Sequence, residues 1–167
     1  MLIIFGGLPG SGKTTIAREL ARQIGATYVR IDSIEQALRD SGAVTTALND
    51  AGYRVGYAIA EDNLRLDRTV VADSVNPLCL TRDAWLEVAK KAQVDAVEIE
   101  VKCSDADEHR RRVETRTSDV SRLRLPTWEE VLCREYDAWN REHFVIDTAA
   151  RTITQSITMV REILAKR

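Results

Sequence analysis

Between a short apolar run and an amphipathic repeat stands Gly7-Leu8-Pro9-Gly10-Ser11-Gly12-Lys13-Thr14-Thr15, and no other feature restricts the fold so tightly. The stretch satisfies Gly-x-x-x-x-Gly-Lys-Thr in full. Glycines let the backbone curl so that successive N–H groups point inward at phosphate oxygens. A helix opening near Lys13 adds the positive end of its dipole. Lys13 is then predicted to reach the β- and γ-phosphates of a nucleotide, and the Thr14 hydroxyl to bind Mg²⁺. Gly7 to Thr15 as a whole is read as the cradle for ATP.

The context fits. Met1 to Phe5 is apolar throughout, as a strand buried on both faces of a parallel sheet must be. Lys13 to Ile24 carries Ile16, Leu20 and Ile24 at helical spacing, with Gly25 as a stop. Thr27 to Ile31 reads as a second strand with Asp32 at its end. Ser33 to about Asp67 reads as helix, broken near Gly42 and Gly52. Thr69 to Ala72 is a third strand ending at Asp73, and Thr81 caps a helix with Trp85, Val88, Ala89 and Ala92 inward. Ala96 to Val101 is a fourth strand, followed by a helix capped by Ser104. Polar, arginine-containing Thr117 to Pro126 suggests a mobile loop, within a lid spanning about residues 112–127. Thr127-Trp128-Glu129-Glu130 forms a capping box, opening a helix with Trp128, Leu132, Tyr136 and Trp139 on one side. Phe144 to Ile146 and a helix lined by Ile153, Ile157, Val160 and Leu164 close the chain. Strands alternating with helices predict a three-layer α/β fold.

The 167 residues are read as one domain, 1–167. A formal charge of -2 argues against a chain that coats nucleic acid or anionic membrane. No apolar run approaches the ~20 residues of a membrane span, so a cytoplasmic location is expected. Cys79, Cys103 and Cys133 are odd in number and dispersed, which predicts free, mostly buried thiols. His109 and His143 stand apart from any ligand cluster, which argues against a zinc site.

The loop alone serves a kinase, an ATPase, a GTPase or a passive sensor. A guanine-reading Asn-Lys-x-Asp tetrad is missing, and Asp73 is followed by Ser74 where a mechanical ATPase usually carries glutamate. These absences favour a small-molecule kinase, in which positioned charge and metal do most of the work. Asp32 at a strand end could accept the proton of an attacking hydroxyl, or only cap the next helix. Asp73 could hold metal-bound water or an acceptor hydroxyl, or only shape a turn with Ser74 and Asn76. Arg112 and Arg116 share a helix face and could clamp phosphates, or only form a solvated basic face.

On "GLPGSGKTT", the aspartate of "VRIDS", "VVADSVNPLCLTRDAW" and "RVETR", the chain resembles small P-loop kinases of the nucleotide-kinase-like class. Within it, the resemblance is to the branch of polynucleotide 5′-hydroxyl kinase domains, chloramphenicol phosphotransferase and AAA-type ATPases. It implies a five-stranded parallel sheet in the order 2-3-1-4-5 and ATP-Mg²⁺ as donor. It implies Asp32 as general base, Arg112 against adenine, Arg116 on the phosphates and the Asp147–Ala149 loop beside adenine. Asp73, Asn76 and Arg82 would flank the acceptor, with Thr14 and Asp73 near the metal. One departure stands out. Polynucleotide kinases carry arginine three residues after the base, where this chain has Glu35, which would repel an acceptor phosphate. The expected acceptor is therefore a hydroxyl-bearing small molecule, one with a positive group facing Glu35 or Asp73 being one form of it. Tyr53, Arg54, Tyr57 and Arg65 are further candidates for acceptor selectivity. A non-enzymatic ATP/ADP-binding regulatory module, docking through Trp128, Tyr136 and Trp139, is one alternative. A polynucleotide 5′-hydroxyl or nucleotide kinase is the other.

Overall fold

The computed structural model describes residues 1–42 and 48–166. The elements run β1 (Leu2–Gly6), α1 (Lys13–Ile24), β2 (Thr27–Arg30), α2 (Ile31–Asp40), α3 (Ala51–Arg65), β3 (Val70–Asp73), α4 (Cys79–Lys91), β4 (Ala96–Lys102), α5 (Ala106–Thr115), α6 (Trp128–Leu132), β5 (Phe144–Asp147) and α7 (Ile153–Leu164). The five strands form one sheet in the order β2-β3-β1-β4-β5, and every pairing is parallel. This is the expected three-layer arrangement and strand order.

Alternation along β1 explains why the strand is apolar throughout. Ile3 and Phe5 join α1 and α7 residues in one core, whereas Leu2 and Ile4 join α3 and α4 residues in the other. All four side chains are fully buried, each contributing roughly 1.5–3 kcal/mol. The register pairs Phe5 and Arg30 with Asp73 and Gly6 with Glu100. The C-terminal strand ends therefore share one edge, where ligands bind in such sheets.

Several local expectations are corrected. Asp32 does not end β2. It lies in the first turn of α2, which begins at Ile31 behind an extended Arg30. The break expected near Gly42 and Gly52 is borne out, since α2 ends at Asp40 and α3 begins at Ala51, with Gly52 in its first turn. A Cβ there would fall 2.3 Å from the Glu35 Cγ, so glycine is required for α3 to lie against α2. The part of the expected helix at 43–47 lies outside the described residues. Thr81 is inside α4, which starts at Cys79 because the Asp137 carboxylate, 58 residues away, accepts the Cys79 N–H at 2.7 Å. Asp105 rather than Ser104 caps α5, its carboxylate accepting the Glu108 N–H at 2.9 Å. The capping box at Thr127 is present, but α6 ends at Leu132, so Tyr136 and Trp139 lie in an irregular segment. Cys103 is buried, Cys79 half-buried and Cys133 exposed, all three as free thiols. Among the described residues no helix is long and apolar enough to cross a membrane.

Candidate active site

The loop from Gly7 to Gly12 leaves β1 along a path closed to most side chains. At Gly7, with φ 141°, a Cβ would lie 2.1 Å from the Val101 carbonyl oxygen. The first bond of α1 outside the loop joins the Ile16 N–H to the Gly12 carbonyl, at 3.2 Å. The amides of Lys13, Thr14 and Thr15 thus have no partner within the helix. Helix α5 buttresses the loop from above. His109 Nε2 lies 2.8 Å from the Pro9 carbonyl, which places the ring proton on that nitrogen, since a carbonyl only accepts. His109 stacks edge-on against Trp128 with centroids 5.2 Å apart. The isolated histidine of the sequence is thus a prop for the loop.

Arg112 on α5 and Arg116 both line the cavity above the loop, but they do not share a helix face as expected: α5 ends at Thr115 and Arg116 is extended. Arg112 is anchored: its guanidinium donates to the Thr148 hydroxyl at 2.7 Å, to the Thr148 carbonyl at 3.1 Å, and to Glu108. The Thr148 hydroxyl in turn donates to the Ser11 carbonyl at 2.8 Å. The loop after β5 is tied in this way to both the cradle and α5. Arg116 is not anchored. Its Nε is buried without a hydrogen-bond partner, and burial pulls its pKa down against the pull of Asp32. The side chain of Lys13 is only 5% exposed and makes no hydrogen bond or ion pair among the described residues. Two cations with unspent donors therefore converge over the N-terminus of α1.

On the sheet side of the cradle, the Thr14 hydroxyl lies 3.3 Å from Asp73 Oδ1. The Tyr28 hydroxyl donates to the other oxygen, Oδ2, at 2.6 Å. The Asp73 side chain is 1% exposed, and its charge together with burial pushes the Tyr28 pKa up, burial most. A hydroxyl and a carboxylate side by side at a phosphate cradle form an oxygen pair suited to Mg²⁺. No group of three or more acidic, histidine or cysteine ligands occurs among the described residues, so the remaining ligands would be phosphates and water.

One cavity of about 1110 Å³ joins the cradle to α2. Asp32, Glu35, Gln36 and Arg39, spaced at three and four, present one face of α2 to it. Burial, and the nearby Asp32 charge, push the Glu35 pKa up against the pull of Arg39, 3.5 Å away. Of the α3 candidates, Tyr53 lines the cavity and Tyr57 does not. The Tyr53 hydroxyl accepts the Asn76 N–H at 3.0 Å, and burial pushes its pKa up to about 12. Arg54 and Arg65 lie outside the cavity, and Arg65 pairs with Glu61 at 2.7 Å.

Asn76 and Arg82 correct the sequence reading. Both are fully buried and neither lines the cavity. The Arg82 guanidinium donates to the carbonyls of Asn76, Pro77, Asp137 and Ala138 at 2.8 to 3.4 Å. It lies 4.2 Å from the Trp139 ring centroid and 5.0 Å from that of Tyr136. Four of its five N–H donors are spent on the main chain, and full burial keeps the guanidinium away from any molecule in the cavity. The two aromatics cover this cation and so are half-buried packing, with Trp139 also stacked on His143 at 4.2 Å.

Sequence reasoning missed Tyr28, Arg30, Arg18 and Asp119. Strand alternation could have found the first two, since Tyr28 and Arg30 share one face of β2 and both point at Asp73. Arg30 sits among three carboxylates: Asp119 at 2.7 Å, Asp32 at 3.9 Å and Asp73 at 4.0 Å. Asp119 also takes Arg18 at 2.6 Å, which pins the irregular 116–127 segment over the cavity. The hydrogen bond from Arg30 leads the effects that hold the Asp119 carboxyl below its usual range.

Sheet order, glycine loop and unspent cations at the start of α1 define a P-loop nucleotide-binding fold. A model of the AAA domain matches residues 2–134, and the chain belongs to that family. An uncharacterised protein of Mycobacterium tuberculosis is 43% identical over 44 residues, 26% of this chain and 9% of the relative. The match therefore covers less than a tenth of the length of that curated relative. The M. tuberculosis APS kinase CysC in complex with AMPPNP and APS superposes with a TM-score of 0.71 at 18% identity, over 98% of this chain and 96% of the other. Kti12 of Chaetomium thermophilum in complex with ADP-AlF3 superposes with a TM-score of 0.68 at 22% identity, over 97% and 98%. These two likenesses concern the fold.

Proposed function

We propose that the chain is an ATP-dependent phosphotransferase acting on a hydroxyl of a small molecule. The carrying observation is that Lys13 and Arg116, cations with unspent donors, open onto the same cavity as the Asp32 carboxylate. The APS kinase bound to AMPPNP and APS, which shares the fold, supports the reading. The triphosphate would lie on the amides of Lys13 to Thr15, with Lys13 and Arg116 at its terminal oxygens. Mg²⁺ held by Thr14 and Asp73 would neutralise part of the phosphate charge. The acceptor hydroxyl oxygen attacks the γ-phosphorus while the bond to the β–γ bridging oxygen breaks. ADP leaves, and the hydroxyl proton passes to the Asp32 carboxylate. The segment 116–127, held by Asp119, would act as a lid that keeps water from competing.

The test is mass-detected phosphoryl transfer from Mg-ATP to a panel of hydroxylated metabolites. Lys13→Ala should lose nucleotide affinity and transfer together. Asp32→Ala should keep nucleotide affinity and lose about 10²- to 10⁴-fold in transfer. Turnover confined to water, and unchanged by Asp32→Ala, would refute the assignment.

A further inference from the structure

We infer that the acceptor is a hydroxylated anion, a polyol bearing a phosphate or carboxylate, held at the α2 end of the cavity by Arg134 with Arg39; this rests on the phosphotransferase reading above. The first observation is charge segregation. The chain has 24 basic and 26 acidic residues, yet among the described residues nine arginines and Lys13 line the cavity against Asp32, Glu35 and Asp119. Such a field concentrates anions and repels cations. A nucleotide accounts for only part of it. Lys13, Arg112, Arg116 and Arg151 border the cradle and the loop after β5. Six arginines remain for the other end.

Most of those six are engaged. Arg18 and Arg30 share Asp119, Arg39 meets Glu35, Arg124 meets Glu130, and Arg122 lies 3.9 Å from Asp40. Arg134 is the exception. Its side chain is exposed and makes no hydrogen bond or ion pair among the described residues, although it lines the cavity and its charge reaches Glu35 and Glu130. A guanidinium with five unspent donors beside a shaped cavity matches the planar oxygens of phosphate or carboxylate. Asp32 and Glu35, one turn apart on α2, supply the complementary half. Both accept hydrogen bonds, and two carboxylates at that spacing suit two hydroxyls of one molecule. The cationic acceptor that Glu35 and Asp73 suggest in the sequence is disfavoured: Asp73 is buried between Thr14 and Tyr28, where it would serve Mg²⁺ rather than the acceptor, and Glu35 faces Arg39.

The test fills the cradle first. With the protein saturated by Mg²⁺ and AMPPNP, inorganic phosphate is titrated calorimetrically into wild type, Arg134→Ala, Arg134→Lys and the outlying control Arg65→Ala. One saturable site is expected. Arg134→Ala should weaken it about 10- to 100-fold, as loss of charge-assisted hydrogen bonds does. Arg134→Lys should recover part, and Arg65→Ala should match wild type. Absence of saturable binding, or equal binding to Arg134→Ala, overturns the inference. A second arm compares Mg-ATP-dependent transfer to ribose, ribonate and ribose 5-phosphate. Preference for either charged sugar, with a raised acceptor KM in Arg134→Ala, supports the inference and tells carboxylate from phosphate. Preference for ribose overturns it. Phosphate binding lost in Arg134→Ala, without transfer to any sugar or to the wider metabolite panel, upholds the anion subsite while the phosphotransferase reading falls.

Discussion

Replacing Gly52 by alanine would normally help a helix by up to about 1 kcal/mol. Here the new methyl would arrive 2.3 Å from Glu35 Cγ. No pair of carbon atoms tolerates that separation, and Cγ is too near the α2 backbone to swing clear on its own. Either Glu35 leaves its rotamer or α2 and α3 separate. Overpacking of this kind costs roughly 1–3 kcal/mol, so Gly52→Ala should destabilise by about 1–2 kcal/mol after the propensity gain. Glu35→Ala deletes the atom that is struck. In that background Gly52→Ala should turn neutral or stabilising, giving a coupling of about 2 kcal/mol in a double-mutant cycle. Urea denaturation followed by tryptophan fluorescence reads all four corners of the cycle. Equal effects of Gly52→Ala in both backgrounds would refute the packing argument. The same substitution should also raise the acceptor KM, because it moves Glu35 without changing its chemistry.

Three other outcomes are expected. Glu35→Gln should raise Tm at neutral pH, because burial lifts the folded pKa of this acid above its unfolded value. That cost grows as pH climbs through the window between the two values, so the gain should vanish below about pH 4, where both states are protonated; a Tm difference independent of pH would contradict it. Arg82→Met should destabilise by more than about 3 kcal/mol in denaturant, since it orphans four carbonyls, and a loss under about 1 kcal/mol would rule out its strapping role. Asp119→Asn should release Arg18 and Arg30 and speed tryptic cleavage at Arg122 and Arg124, with unchanged cleavage counting against the pinned segment.

The sequence discloses the strand order and the cradle because both rest on local signals: an apolar strand, a glycine loop, a helical repeat. It hides what depends on distant partners. The start of α4 is set by Asp137, and the fate of Arg82 is set by carbonyls some 55 residues away. Neither bond leaves a trace in periodicity. Gly52 is legible in the sequence only as a boundary; that it answers a side chain on another helix is not. The acidic total likewise concealed a basic cavity, since net charge says nothing about where charges gather.

Arg82 grips the 137–138 stretch by its main-chain oxygens. Carbonyls are the same whatever residue carries them, so this grip is blind to spelling. Arg134 stands at the head of that irregular segment and faces the α2 end of the cavity. The fold thus separates what holds the segment from what the segment displays. A lineage could exchange the residue at 134, and with it the molecule accepted, without rebuilding the clasp beneath.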